Sequence, residues 1–315
     1  MQAFTVGQTK AHPLASGEAI DATLAQRLRL MTENEMPSTR PYLPRIGLVF
    51  DFDKTLASDS VDAITAVLGL ERSEWEQRYK VPLGQGWDDI LIRGQALILA
   101  GRDVGRPLTP DVLREAARRI KLYPGVLEMP DRLRAVAREV HDDVECAFAV
   151  LSSGFAEIIN ETTVPDRFDR VWAGSFHFEH GQAVCVKRII KHPQKALYLR
   201  AYAEGLDPEA TNAPGTSGRV VPEHDMHVLL DQMIYVGDGD SDLEAFGFLE
   251  NAGGLTIAIE DGPRFDSAEQ QSADQRVDNL APSDYSAGSE LLASLSLAVR
   301  ACAARVALRA RGRGQ

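Results

Sequence analysis

Three apolar runs in this chain each end in a knot of acids or hydroxyls: GLVFDFDKT over 47–55, CAFAVLSSGF over 146–155 and MIYVGDGDSD over 233–242. This pattern restricts the fold sharply. A carboxylate is costly to bury unless a cation pairs with it, so these acids belong at an edge of the core rather than inside it. Short continuous apolar runs have the signature of strands buried on both faces. Helical patterns lie between them. Strands alternating with helices predict the α/β class, with a doubly wound, Rossmann-like, mainly parallel sheet. In such sheets ligands bind beyond the carboxyl ends of the strands. The three knots, distant in sequence, would then gather on one edge.

Residues 1–17 read as disordered or loosely attached. Residues 18–34 place Ile20, Leu24, Leu28 and Met31 at helical spacing, and Pro37, Pro41 and Pro44 make an extended lead-in. The spacing predicts helices over 60–69, 88–101, 109 to about 122, 128–140 and 194–205. Thr109 is the expected cap of the third of these, with Pro110 at its first position. Strands are expected at 46–51, 146–155, 233–242 and 255–260. A hairpin is expected within 171–190, turning at His180-Gly181. The Pro-, Gly- and Thr-containing stretch 206–231 predicts a loop. The helical block 57–123 follows the first strand directly and would cover the polar edge. The expected division is therefore an N-terminal extension (1–44), a core (45–56 and 124–295), a small helical cap domain (57–123) and a C-terminal helix with a basic tail (296–315).

A net charge of −12 argues against nucleic-acid or anionic-membrane partners, while leaving room for a small anionic substrate beside a local metal ion. The three cysteines, Cys146, Cys185 and Cys302, are far apart and odd in number, so a reducing cytoplasmic compartment is expected. No apolar run is read as approaching the roughly 20 residues of a membrane span, and the first residues lack the basic and apolar halves of a signal peptide.

Alternate residues of an extended segment point the same way, so Asp51 and Asp53 can face one pocket. Mg²⁺ takes hard oxygen ligands, usually one or two carboxylates with waters and substrate phosphate, and Asp238 offers a further carboxylate from a second strand. An aspartate can attack phosphorus, a second carboxyl can move the proton, and hydroxyls with a lysine can stabilise the phosphoryl charge. Other metal readings are weaker. GDGDSD lacks the closing glutamate of an EF-hand, since the twelfth position from Asp238 is Leu249. His177 and His180, and Glu223 with His227, have no accompanying cysteines and read as surface residues. Gly215 to Arg219 is glycine-rich without the lysine of a nucleotide loop.

DFDKT after an apolar strand resembles the first motif of the haloacid dehalogenase (HAD) superfamily. LSSGF resembles its second motif and VGDGDSD its fourth. The chain is most similar to the phosphoserine-phosphatase-like branch, whose helical cap follows the first motif. The resemblance implies a Mg²⁺-dependent phosphatase acting on a small phosphorylated metabolite through an aspartyl-phosphate. Transfer to an acceptor other than water, or a non-catalytic phospho-ligand-binding role, are the alternatives. It implies Asp51 as nucleophile and metal ligand, and Asp53 as general acid/base with its carbonyl on the metal. Thr55 would orient the loop, and Ser152, flanked by Ser153 and Gly154, would bind the phosphoryl group. Asp238 would be a metal ligand, and Asp242 would support the metal or the lysine. Lys195 is the chosen lysine, with Lys187 and Lys191 nearby. The branch reads the substrate ammonium with a glutamate five residues past the threonine. Here that position is Ser60, with Asp59 beside it. Asp59, Trp75, Trp87 and Arg93 are the candidate cap contacts.

Overall fold

The computed structural model describes residues 42–209, 221–239, 241–259 and 277–312. The helical pattern at 18–34, the prolines at 37 and 41, Gly215 to Arg219 and Asp240 lie outside the described residues.

The chain opens with β1 (Arg45–Phe50), then builds the cap from α1 (Ser60–Val67), α2 (Arg72–Trp75), α3 (Asp89–Asp103) and α4 (Pro110–Ala117). It returns through α5 (Met129–Val140) to β2 (Glu145–Phe155), the single turn α6 (Ala156–Ile159), and the strands β3 (Arg170–Glu179) and β4 (Gln182–Arg188). There follow α7 (His192–Ala203), β5 (Met233–Gly237), α8 (Leu243–Asn251), β6 (Leu255–Ile259), β7 (Asn279–Ala281) and α9 (Glu290–Arg311). The sheet order is β4-β3-β2-β1-β5-β6-β7. All neighbours are parallel except β4, which runs back along β3. β1 lies between β2 and β5, so the three polar-ended runs are adjacent strands and their tips share one edge.

The continuous apolar sequence of β1 follows from its position, because both of its faces are covered. Ile46, Leu48 and Phe50 join the core under α5 and α9, while Val49 joins the core on the opposite face with residues of α7 and α8. The cap has its own core, which includes Val61, Ile64, Trp75, Leu97 and Leu113. That core reaches the sheet at Phe155 and Phe176, whose rings stack with centroids 4.0 Å apart.

Local signals account for most boundaries. Asp59 caps α1 and Thr109 caps α4, each side chain accepting a backbone N–H. The hairpin turns at His180 (φ 50°) and Gly181 (φ 76°), the left-handed pair that suits a tight two-residue turn. Three expectations need correction. First, α3 runs past Gly101 to Asp103. Second, α4 ends at Ala117 instead of continuing to about Leu122, because the two cap connectors pair there: Leu122 bridges Ala57, and the Ser58 N–H donates to the Lys121 carbonyl at 2.9 Å. Third, the boundary expected at 295/296 falls inside α9, one continuous helix with Leu291, Leu295, Val299, Cys302 and Val306 buried. Its basic end is anchored rather than solvated, with Arg309 paired to Asp231 and Arg305 donating to the Gly253 carbonyl at 2.6 Å. By length and composition α9 is apolar enough to cross a bilayer, contrary to the reading of the sequence. Here one of its faces completes the main core.

Candidate active site

Asp51 directly follows β1, and its N–H still bonds the β5 strand at the Val236 carbonyl (2.8 Å). This fixes the carboxylate at the sheet edge, almost wholly buried. One oxygen accepts the Phe52 N–H at 2.6 Å. The other accepts the Lys195 ammonium at 2.7 Å and the Ser241 hydroxyl at 3.3 Å. Lys195 is fully buried on the first turn of α7 and also donates to Asp242 (2.5 Å) and Ser241 (2.9 Å). Burial alone would discharge this lysine, but the Asp242 and Asp51 carboxylates hold its pKa above the ordinary value, so it is a cation. Of the three candidate lysines, this is the one that reaches Asp51. Lys191 instead pairs with Asp88 at the start of α3 (2.9 Å), and Lys187 is exposed.

Past Asp51 the chain turns through Lys54, whose positive φ of 57° is unusual for a non-glycine residue. The turn brings Asp53 beneath the cap, where Ser60 holds both its oxygens: the Ser60 N–H at 2.8 Å and its hydroxyl at 2.9 Å. Burial first, then the nearby Asp59 carboxylate, pushes Asp53 up to about 7. Thr55 is fully buried; its carbonyl accepts the Tyr285 hydroxyl at 2.9 Å, and its own hydroxyl has no partner among the described residues.

β2 supplies the second wall. Its pairing with β3 shifts register between Leu151 and Phe155, so the strand is irregular across Ser152-Ser153-Gly154. The buried Ser152 hydroxyl accepts the Gly154 N–H at 3.0 Å. Ser153 turns its hydroxyl to the Ile190 carbonyl (2.9 Å) and offers its own carbonyl to the Arg93 guanidinium. A Cβ on Gly154 would sit 2.8 Å from Asp53 Oδ2, so a larger residue there would displace that carboxylate.

Asp238 follows β5, and burial, then Asp51 and Asp242, raises its carboxyl to about 7. Asp51, Asp238 and Asp242 each place an oxygen within 4.8 Å of the other two. Asp242 spends one oxygen on Lys195 and on the Tyr235 hydroxyl (2.6 Å), so its bonds show it holding the lysine. The donor set suits a divalent cation. Asp51, Asp53, Asp238 and Asp242 bring four negative charges when ionised, against the cations Lys195, Arg93 and Lys54, and all the oxygens are hard ligands. The side chain of Asp53 is occupied by Ser60 and lies outside this three-carboxylate group, which leaves its backbone carbonyl as its means of reaching an ion.

The cap candidates divide. Arg93 enters the site through Ser153, and its charge lowers the Asp53 pKa in opposition to burial. Asp59 is spent as the α1 cap and on Arg72 at 3.4 Å. Trp75 is buried in the cap core, and Trp87 is exposed, donating to the Leu83 carbonyl. Sequence reasoning missed Ser60, Ser241, Tyr235 and Tyr285 as partners of the motif residues. Ser60 and Ser241 lie within or beside the motifs and were open to that reading; Tyr285 carries no local signal.

No protein-family model matches the chain, and no curated protein matches it in sequence. Solved structures do match. A phosphoserine phosphatase captured as a phospho-aspartyl intermediate analogue is 20% identical, with a TM-score of 0.50 over 80% of this chain and 98% of that one. A HAD family hydrolase from Salmonella enterica serovar Typhi is 17% identical, with a TM-score of 0.51 over 86% and 80%. A probable phosphoserine phosphatase from Vibrio cholerae is 16% identical, with a TM-score of 0.53 over 89% and 74%. These likenesses show the fold: an HAD-like α/β core with a mostly parallel sheet and flanking helices.

Proposed function

We propose that this chain is an HAD-type phosphatase that hydrolyses a small phosphomonoester through a covalent intermediate on Asp51. The observation that carries the reading is the pairing of two unlike aspartates. Asp51 is held by the Lys195 cation at 2.7 Å, while Asp53, two residues on, is pushed up to about 7 beside the cap. Burial raises the Asp51 carboxyl as well, but the Lys195 charge opposes that rise and favours the attacking anion, while Asp53 is poised to exchange a proton near neutrality.

In the first step a carboxylate oxygen of Asp51 bonds to phosphorus and the ester P–O bond breaks. The leaving oxygen takes the proton of Asp53. In the second step Asp53, now a carboxylate, takes a proton from water as the water oxygen bonds to phosphorus. The Asp51–phosphorus bond breaks, releasing phosphate and restoring both acids. Lys195, Ser152 and backbone N–H groups at the strand tips would stabilise the transferring group. A Mg²⁺ ion held by Asp51, Asp238 and the Asp53 carbonyl would supply further charge stabilisation. The start of α1 offers no free carboxylate for an ammonium, because Ser60 serves Asp53 and Asp59 serves Arg72 and the cap. This favours a substrate other than phosphoserine.

The test is phosphate release from a panel of phosphorylated metabolites with Mg²⁺, run beside Asp51→Asn and with added acceptor alcohols. Turnover is expected with wild type and lost in the variant, with phosphate passing to water. No turnover of any substrate, or turnover surviving in Asp51→Asn, would overturn the reading.

A further inference from the structure

A second cavity, of about 620 Å³, opens at the opposite end of the sheet, around the first residues of β1, β2 and β3. Arg45 opens β1 and Asp51 follows that strand's last residue, so the cavity is separated from Asp51 by a strand's length, on the order of 20 Å. The cavity reaches both faces of the sheet. Cys146 on its wall belongs to the core under α5, whereas Trp172 and Tyr202 belong to the core on the other face.

Four arginines line it: Arg45, Arg134, Arg138 and Arg170. The acids present have other duties. Asp169 accepts the Phe148 N–H at 2.8 Å, Asp207 accepts the Glu209 N–H at 3.0 Å, and the exposed Glu145 pairs with Arg45 at 2.9 Å. Arg170 makes only a 3.4 Å bond to the carbonyl of its neighbour Asp169, and Arg138 has no described partner. The cavity therefore keeps unspent guanidinium donors.

The decisive group is Tyr202. Its side chain is 4% exposed, lines the cavity, and its hydroxyl has no hydrogen-bond partner among the described residues. A buried phenol normally finds one, because an unmade bond costs the full desolvation of the group. Burial first, then the Asp169 carboxylate, raises its pKa, so it is protonated and a donor. Arg45 and Arg170 are the cations acting on it. The Asp169 carboxylate, Arg45 and Arg170 all act on this stranded O–H donor, and an acceptor that also meets the unspent Arg170 guanidinium suits it. The adjacent ring of His227 bonds Arg45 through Nδ1 at 2.8 Å, and burial, then Arg45, lowers its pKa. It is neutral and adds no competing charge.

We propose that this basal cavity binds a small organic anion, whose phosphate or carboxylate group accepts from the Tyr202 hydroxyl and from Arg170. Its volume lies in the range of metabolite sites and exceeds what a bare oxyanion needs. The site is independent of the Asp51 chemistry and does not rest on the activity proposed above.

The test is binding by the full chain without Mg²⁺, followed by isothermal calorimetry and by tryptophan fluorescence, since Trp172 is on the wall. The probes are inorganic phosphate, adenosine monophosphate and citrate, which separate phosphoryl from carboxylate recognition. Saturable binding of at least one probe is expected. Tyr202→Phe, which removes only the unpartnered oxygen, should weaken it about tenfold. Arg170→Gln should weaken it similarly, and Asp51→Asn should leave it unchanged. The proposal is overturned if no probe binds saturably. It is equally overturned if binding survives both cavity variants undiminished, or if Asp51→Asn abolishes it.

Discussion

Ser60 donates its backbone N–H to one oxygen of Asp53 and its hydroxyl to the other, at 2.8 and 2.9 Å. Ser60 therefore spends both its donors on Asp53, the acid proposed to move the proton. Removing the hydroxyl in Ser60→Ala should cost a hydrogen bond to a partly charged group and leave the fold intact. We expect kcat for a generic aryl phosphate to fall about tenfold with little change in KM. An unchanged kcat would show that the contact is not used.

Lys195 is enclosed between Asp51 and Asp242 with no exposure to water. Truncating it leaves two carboxylates facing each other in the core. Lys195→Ala should destabilise the chain by about 3–5 kcal/mol in chemical denaturation, the usual loss when one partner of a buried pair is removed. A loss under about 1 kcal/mol would contradict the buried pairing.

The excess of carboxylates at the strand tips predicts linkage to a divalent cation. Mg²⁺ should raise Tm progressively with concentration, as any ligand that binds only the folded chain does. Asp238→Asn should remove most of the shift, because it deletes one of the three converging oxygens. An equal shift in the variant would place the ion elsewhere.

α3 lies against β4 at Gly94, where an added Cβ would fall 2.3 Å from Val186 Cγ2 and 3.2 Å from Phe155 Cζ. Gly94→Ala should therefore push the cap off the hairpin and cost about 1–3 kcal/mol. Adding Val186→Ala should recover much of that loss, since the closest clash is with that methyl. Thermal melts of the two single variants and the double variant decide it.

The Asp88–Lys191 pair ties the start of α3 to the start of α7 at 2.9 Å. Burial alone would raise the Asp88 carboxyl, but the Lys191 ammonium and the Ile90 and Leu91 N–H groups outweigh it and hold the pKa below its ordinary 3.8. A depressed carboxyl stabilises the fold above its unfolded pKa, and the contribution is lost as pH falls through the lower folded value. Protection of the α3 amides from hydrogen exchange, relative to the intrinsic rate at each pH, should therefore fall below about pH 4 in wild type. In Lys191→Gln it should be lower already at neutral pH, with a weaker acid dependence.

The class of fold and the chemical character of one sheet edge are legible in the amino-acid order. Apolar runs that end in acids are buried as central strands whose tips lie at the sheet edge, and that rule places Asp51, Ser152 and Asp238 together from the amino-acid order alone. Local chemistry also fixed the Thr109 cap and the His180-Gly181 turn, since both depend on neighbouring residues alone. Tertiary structure decided what depends on distant partners. It selected Lys195 from three lysines, because only that position on α7 looks back at Asp51. It shortened α4, because Leu122 is needed by Ala57 from the other connector. It bound the C-terminal helix into the core through contacts with α5 and β5–β6 that no local pattern announces. It also stranded the Tyr202 hydroxyl among arginines drawn from β1 and β3, a juxtaposition that exists only once the sheet has formed.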